Sequence, residues 1–202
     1  LITLAISDGC SSMHDSHYTA LDLCRAAVSC ETFEQLLELD IHKLKDPTNG
    51  HATLLTAFIT KDNTLVSMMG DGIWGFRSDT THAVSLDWDD VPTYPTYEPL
   101  LLRSWPGIAK TSYVGNIPDP IVLDTVHIWN IPSTWSQLWI SSDGLMKHYG
   151  LSDISNEICA LKNKTGQFLK RRMSRWLKNT SVADDITVVS IVTEDLSDES
   201  MG

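Results

Sequence analysis

The sequence predicts an α+β domain in which antiparallel sheets are covered by helices. Two observations carry this. Strand-like runs succeed one another from His51 onward with no helix between them, and helical patterns come in pairs, two ahead of the strands and two after most of them. A parallel fold would alternate strand with helix instead. The third observation is bulk. A chain of 202 residues can bury roughly 70% of the surface its unfolded form exposes. With 42% hydrophobic against 20% charged residues it has material for one core and none of the apolar depletion that marks disorder. One domain spanning residues 1–202 is expected, with no internal repeat.

Leu1-Ile2-Thr3-Leu4-Ala5-Ile6 reads as a buried strand, so the chain opens inside structure. From His17 to Ser29, Ala20, Leu21, Leu23, Cys24, Ala27 and Val28 recur at helical spacing. Thr32 followed by Gln35 is a capping-box pattern ahead of Phe33, Leu36, Leu37 and Leu39, which predicts a second helix to about Lys45. Ala52–Thr60, Thr64–Met69 and Ile73–Ser78 are strand runs. Lys61-Asp62-Asn63 supplies hairpin chemistry between the first two, and Gly70-Asp71-Gly72 breaks the chain before the third. Residues 87–119 hold Pro92, Pro95, Pro99, Pro106, Pro118, Trp88 and Trp105; a segment this long and Pro-rich is expected to be a flap. Strands resume at Ile121–Ile131 and Gln137–Ser141. Helical patterns follow at Ser152–Leu161 and Gly166–Leu177, then a β-branched strand at Ile186–Val192 and an acidic tail at 194–202.

A net charge of −11 leaves little attraction for a phosphate backbone, so nucleic acid is not an expected partner. An acidic protein also repels phosphorylated substrates, unless its acids converge on a cation that reverses the local sign. Cys10, Cys24, Cys30 and Cys159 form no CxxC pair and are expected to be free thiols of a reducing cytoplasm. No apolar run approaches the ~18 residues of a membrane helix, and no charged-then-apolar leader opens the chain. The expectation is a cytoplasmic monomer with no membrane partner.

The acids have a pattern. An apolar strand runs into a short polar break holding an Asp at Ile6-Ser7-Asp8-Gly9, at Ile140-Ser141-Ser142-Asp143-Gly144, and at Met69-Gly70-Asp71-Gly72. In Ala183-Asp184-Asp185 the acids lead into Ile186-Thr187-Val188-Val189. One Asp-Gly is first of all a turn dipeptide. Several at strand ends would place carboxylates in one cavity, where they repel and raise one another's pKa, and hard cations such as Mg²⁺ or Mn²⁺ would hold them together.

These residues resemble the type-2C metal-dependent serine/threonine protein phosphatases. That family has a strand ending in Asp-Gly, then Gly-Asp-Ser-Arg, then Ser-Asp-Gly before a helix, then Asp-Asn-Ile-Thr-Val opening the last strand. Here they stand as Asp8-Gly9, Gly70-Asp71-Gly72-Ile73, Ser142-Asp143-Gly144-Leu145 and Asp184-Asp185-Ile186-Thr187-Val188, in the same order over nearly the whole chain. The resemblance implies an α-β-β-α sandwich of two antiparallel sheets with a dimetal site at one edge. It implies a serine/threonine phosphatase that uses two Mn²⁺ or Mg²⁺ ions and a weaker third, water attacking phosphorus, and a phosphorylated protein as substrate. Asp8, Asp143 and Asp184 would be the catalytic acids. Asp8 would bridge the metals, the Gly9 carbonyl would ligate one, Asp143 and Asp184 would complete the second, and Asp71 would help hold the third.

The chain departs from that pattern in places. Cys10 stands where many members have His or Met, leaving His14 or a water to protonate the leaving group. Gly72-Ile73 replaces Ser-Arg, and Asp185 replaces Asn as a supporting acid. The family's preceding strand, with its phosphate-binding Arg and an acidic ligand, is not in the sequence, so the site beside Asp143 and Asp184 is expected to fill first. Two rivals are weighed: a pseudophosphatase binding module on the same fold, and a hydrolase of small phosphorylated metabolites. Ser11-Ser12 and Ser141-Ser142 lack a paired His and a nucleophile elbow, which argues against covalent serine catalysis. Lys170-Arg171-Arg172 with Arg175 is a basic helix face, read first as solvated.

Overall fold

The computed structural model describes residues 1–9, 16–37, 51–88, 109–123, 126–178 and 185–193. Its elements are β1 (Ile2–Ile6), α1 (Ser16–Ser29), α2 (Phe33–Leu37), β2 (Leu54–Ile59), β3 (Asn63–Met69), β4 (Gly72–Arg77), β5 (Thr81–Trp88), β6 (Ala109–Val114), β7 (Ile121–Leu123), β8 (Val126–Pro132) and β9 (Gln137–Ser141). A 3₁₀ turn at Asp143–Leu145, α3 (Leu151–Ala160), α4 (Gly166–Leu177) and β10 (Val188–Val192) follow. The strands form two five-stranded antiparallel sheets, ordered β1-β2-β3-β8-β7 and β10-β9-β4-β5-β6.

The α+β fold class and the sandwich of two antiparallel sheets are as expected, and alternation along the strands explains the layering. Leu55, Ala57 and Ile59 of β2 point toward Trp74, Val84, Leu138 and Ile140 of the opposite sheet, and together with Trp129 and Trp135 they form the central core. Leu54 and Phe58, on the other face of β2, pack under Leu23, Ala27, Phe33 and Leu36 of α1 and α2. On the far side Ile73, Ala83 and Trp139 pack under Leu145, Ile154 and Ile158. Every residue of β2 and β9 is buried, because helices cover both outer faces; that is why both strands are mostly apolar rather than alternating, with Thr56, Gln137 and Ser141 buried among them.

Local signals act as their chemistry suggests. Gln35 N–H donates to Thr32 Oγ1 at 3.2 Å, and Thr32 N–H donates back to Gln35 Oε1 at 3.3 Å: the capping box forms. The described part of this helix ends at Leu37, and its expected extension to Lys45 lies outside the described residues. Residues 60–63 close the hairpin, Thr60 N–H donating to the Asn63 carbonyl at 2.9 Å. Asp87 and Trp88 end β5, and 109–114 form β6 at the edge of the second sheet, so residues 87–88 and 109–114 of the 87–119 segment are strand; residues 89–108 lie outside the described residues. The run from Ile121 is two strands, β7 and β8, paired with each other. The acidic tail 194–202 also lies outside the described residues. Among the described residues no helix is long and apolar enough to cross a membrane, and Cys24, Cys30 and Cys159 are free thiols.

Candidate active site

Sheet register gathers the acids. Ile6 pairs with Leu55, and Leu55 with Met68, in the first sheet; Val188 pairs with Ser141, Ser141 with Ile73, and Ile73 with Ser85, in the second. Gly72 lies directly over Leu55, so close that a Cβ there would come within 2.5 Å of Leu55 Cδ2. The two sheets therefore end together at this edge of the sandwich. Asp8 lies just past Ile6, Asp71 just before Gly72, Asp87 just past Leu86, Asp143 just past Ser141 and Asp185 just before β10, so all five stand off the same end.

Two small hydroxyl residues tie these loops. The buried Thr53 accepts from Asp8 N–H through Oγ1 at 3.1 Å, donates its own N–H to the Asp8 carbonyl at 2.8 Å, and accepts from Ser7 Oγ–H through its carbonyl. Gly70 backs onto the same Thr53: its φ is +87°, and a Cβ would meet Thr53 Cγ2 at 2.7 Å. Only glycine meets both demands, and the consequence is that the Asp8 and Asp71 breaks rest on one residue. Gly9 bridges to Ala52 and is pressed by Ser16 at the start of α1. On the other sheet, the Ser142 hydroxyl donates to the Asp185 carbonyl at 3.2 Å and accepts from Thr187 N–H at 3.1 Å, while Ser142 N–H donates to the Thr187 carbonyl. A Cβ on Gly144 would lie 2.5 Å from the Asp185 carbonyl oxygen. The Asp143 turn is thus clamped to the segment that leads into β10.

Asp71 registers the electrostatics of the whole end. Its carboxyl is pushed up to about 7, first by burial, then by the like charges of Asp143 and Asp87; the Trp88 N–H, donating to Oδ1 at 3.0 Å, and the Lys147 ammonium oppose the shift. Asp143 is thus near enough to Asp71 to be felt, across two strands of the second sheet. Trp88 stands edge-on to His127, with ring centroids 6.1 Å apart, and walls the same end.

Of the residues expected at the site, Asp8, Gly9, Asp71 and Asp143 share this end, whereas Asp184, Cys10 and His14 lie outside the described residues, as does Trp105. Asp185 is held by its backbone and is solvent-exposed. Sequence reasoning missed Asp87, Lys147 and Thr53. Asp87 obeys the same strand-into-acid grammar but lacks the glycine that flags it; Lys147 sits four residues after Asp143; Thr53 carries no sequence signal, since its role exists only once the sheets meet.

The donors here are hard oxygens, the type that Mg²⁺ and Mn²⁺ select, and a cation would offset both the burial that chiefly raises Asp71 and the smaller repulsion from Asp143 and Asp87. Among the described residues, however, no three acidic, histidine or cysteine side chains come close enough to form a complete metal shell. The fit is one of donor chemistry and location.

No family model matches the chain, and no curated protein matches it in sequence. Solved structures do share its fold. The serine/threonine phosphatase Stp1 of Staphylococcus aureus superposes with a TM-score of 0.60 at 12% identity, covering 95% of this chain and 84% of that one. A bacterial serine phosphatase gives 0.61 at 12% identity, covering 95% and 86%. PppA, a regulatory component of the T6SS in Pseudomonas aeruginosa, gives 0.55 at 13% identity, covering 95% and 86%. The chain shares the sandwich fold of these bacterial proteins, at 12–13% sequence identity.

Proposed function

We propose that the chain is a metal-dependent phosphomonoester hydrolase acting on phosphoserine and phosphothreonine in proteins. The observation that carries this is the convergence of strand-end carboxylates on Asp71, at one edge of a fold shared with serine/threonine phosphatases. Fold alone does not assign activity; a partly buried Asp71 with Asp143 and Asp87 within electrostatic reach supplies the missing argument.

Asp8, the Gly9 carbonyl, Asp143 and Asp184 are the groups proposed to hold two Mn²⁺ or Mg²⁺ ions, with Asp71 beside a weaker third. Bound divalent ions supply a water acidified toward neutral pH and neutralise charge on the phosphoryl oxygens. The chain's own residues do the positioning. Thr53 fixes Asp8 relative to Asp71, Ser142 fixes the Asp143 turn against the start of β10, and Trp88 with His127 shields one flank from water. Lys147, which offsets the acids around Asp71, places positive charge beside them.

The test is phosphate release from phosphoserine and phosphothreonine peptides with Mn²⁺, beside a panel of small phosphorylated metabolites. Peptide turnover that stops in excess EDTA is expected. Turnover of metabolites alone would move the substrate class, and binding of phosphopeptide with no turnover would make the chain a pseudophosphatase.

A further inference from the structure

The α3–α4 hairpin carries a groove that the hydrolytic reading leaves unused. It is a concavity of about 550 Å³ whose charged and aromatic lining is Lys164, Phe168, Arg171, Arg172 and Arg175. These positions recur at helical spacing, so they form one stripe from the interhelical turn along α4. Helix α4 holds Lys170, Arg171, Arg172 and Arg175 and no acid, and it buries no side chain fully. On a protein of net charge −11 the stripe is a local reversal of sign.

Three features set this groove apart from an ordinary solvated face. Its two helices are tied across the groove: Arg172 pairs with Glu157 of α3 at 2.7 Å, and the turn between the helices holds Asn163 in the left-handed region at φ +64°. The remaining cations, Lys164, Arg171 and Arg175, have no carboxylate partner among the described residues. Between them Phe168 is 73% exposed, a large aromatic ring held in water beside guanidinium groups. Unpaired cations flanking an exposed ring call for a ligand with carboxylates or phosphates spaced around an apolar side chain.

We propose that this groove docks an acidic protein segment bearing one apolar side chain that covers Phe168. This interaction does not depend on the hydrolytic reading. A concave track with one aromatic anchor fits a narrow polypeptide rather than a flat anionic bilayer, which would also have to meet the rest of an acidic surface. Arg175 adjoins Trp176, and Trp176 packs in the cluster that holds Leu145, next to the Asp143 turn; Lys164 lies at the far end. A segment docked along the groove would therefore run toward the candidate active site, so a phosphorylated acidic substrate could use both.

The experiment is fluorescence anisotropy with a short labelled peptide of Asp and Glu around a central Leu, against the same peptide with Asn and Gln in place of the acids. The full chain should bind the acidic peptide roughly tenfold or more tightly than the amide version, and more weakly as salt is raised. Arg171→Glu with Arg175→Glu should weaken binding about tenfold, and Phe168→Ala by about threefold with the salt dependence kept. Both variants should keep the parent circular-dichroism spectrum and the parent rate on p-nitrophenyl phosphate, so that loss of docking is separable from loss of hydrolysis. Equal binding of the two peptides, or unchanged affinity in both variants, would overturn the proposal. So would binding to phosphatidylserine vesicles without binding to the peptide. Peptide binding that emerges only when residues 194–202 are deleted would assign the groove to the chain's own acidic tail and overturn it as well.

Discussion

The two ends of the sandwich are built on opposite rules. At the end away from the acids, hydroxyl, indole and backbone groups pair with one another. Trp135 Nε1–H donates to Thr64 Oγ1 at 3.0 Å, Thr64 shares a hydrogen bond with Ser133 at 2.8 Å, and backbone N–H groups of Ser133 and Ser136 donate to the carbonyls of Asp62 and Arg77. The carboxylates there, Asp62 and Asp79, are exposed to water. At the other end Asp71 is half-buried, flanked by Asp143 and Asp87, and pushed up to about 7. One end closes the fold; the other holds like charges together at a cost in stability. Local violation of the rules that govern the rest of a protein is the signature of a functional site.

The comparison can be broken by exchanging what each end supplies. The largest effect is expected from Asp143→Asn, which should lower phosphate release by about a hundredfold or more if the acids are ligands, while metal-free melting holds or rises because one repulsive charge has gone. A parallel fall in melting temperature would mean that Asp143 is structural. Gly70→Ala comes next: the +87° φ and the approach to Thr53 should cost about 1–3 kcal/mol in denaturant unfolding, with activity falling too as Asp71 shifts relative to Asp8. At the opposite end, Thr64→Val leaves the buried Trp135 N–H without its acceptor and should cost about 1–2 kcal/mol with activity per folded molecule unchanged.

The smallest effect is the most diagnostic. Asp71 has a folded-state pKa of about 7 against an ordinary 3.8, so between those values the folded chain keeps a proton that the unfolded chain gives up. Metal-free stability should then fall as pH rises from about 4 to about 7. Asp71→Asn should flatten that slope and raise stability at neutral pH by about 1 kcal/mol, allowing for solvent screening of a half-buried group. Saturating Mn²⁺ should flatten it in the parent chain. A slope unchanged by Asp71→Asn would place the repulsion elsewhere.

Much of this was legible in the residues, and what was not has physical causes. Thr32 with Gln35, the Lys61-Asp62-Asn63 turn and the α4 pattern read correctly, because each is decided by local hydrogen bonding or by one periodic face. The positions of Asp8, Asp71 and Asp143 at strand ends were readable from glycine breaks after apolar runs. That they share one end depends on strand order and on Gly72 meeting Leu55, which no local signal encodes. Strand β6 was hidden because Ala109-Lys110-Thr111-Ser112-Tyr113-Val114 follows a Pro-rich stretch and pairs on one side only, so it needs little apolar content. The last strand begins at Val188, two residues later than its β-branched run suggests, because Ser142 engages the Asp185 carbonyl and the Thr187 backbone ahead of it.

The central claim is that the acids at one end form a divalent-cation site and those at the other do not. Isothermal titration of Mn²⁺ into the metal-free chain at neutral pH tests it most directly, with Asp8→Asn and Asp143→Asn beside Asp62→Asn as the control from the opposite end. Saturable binding is expected, weakened about tenfold or more by either substitution at the acidic end and untouched by Asp62→Asn. Binding that survives both Asp8→Asn and Asp143→Asn, or no saturable heat in the parent chain, would contradict the account.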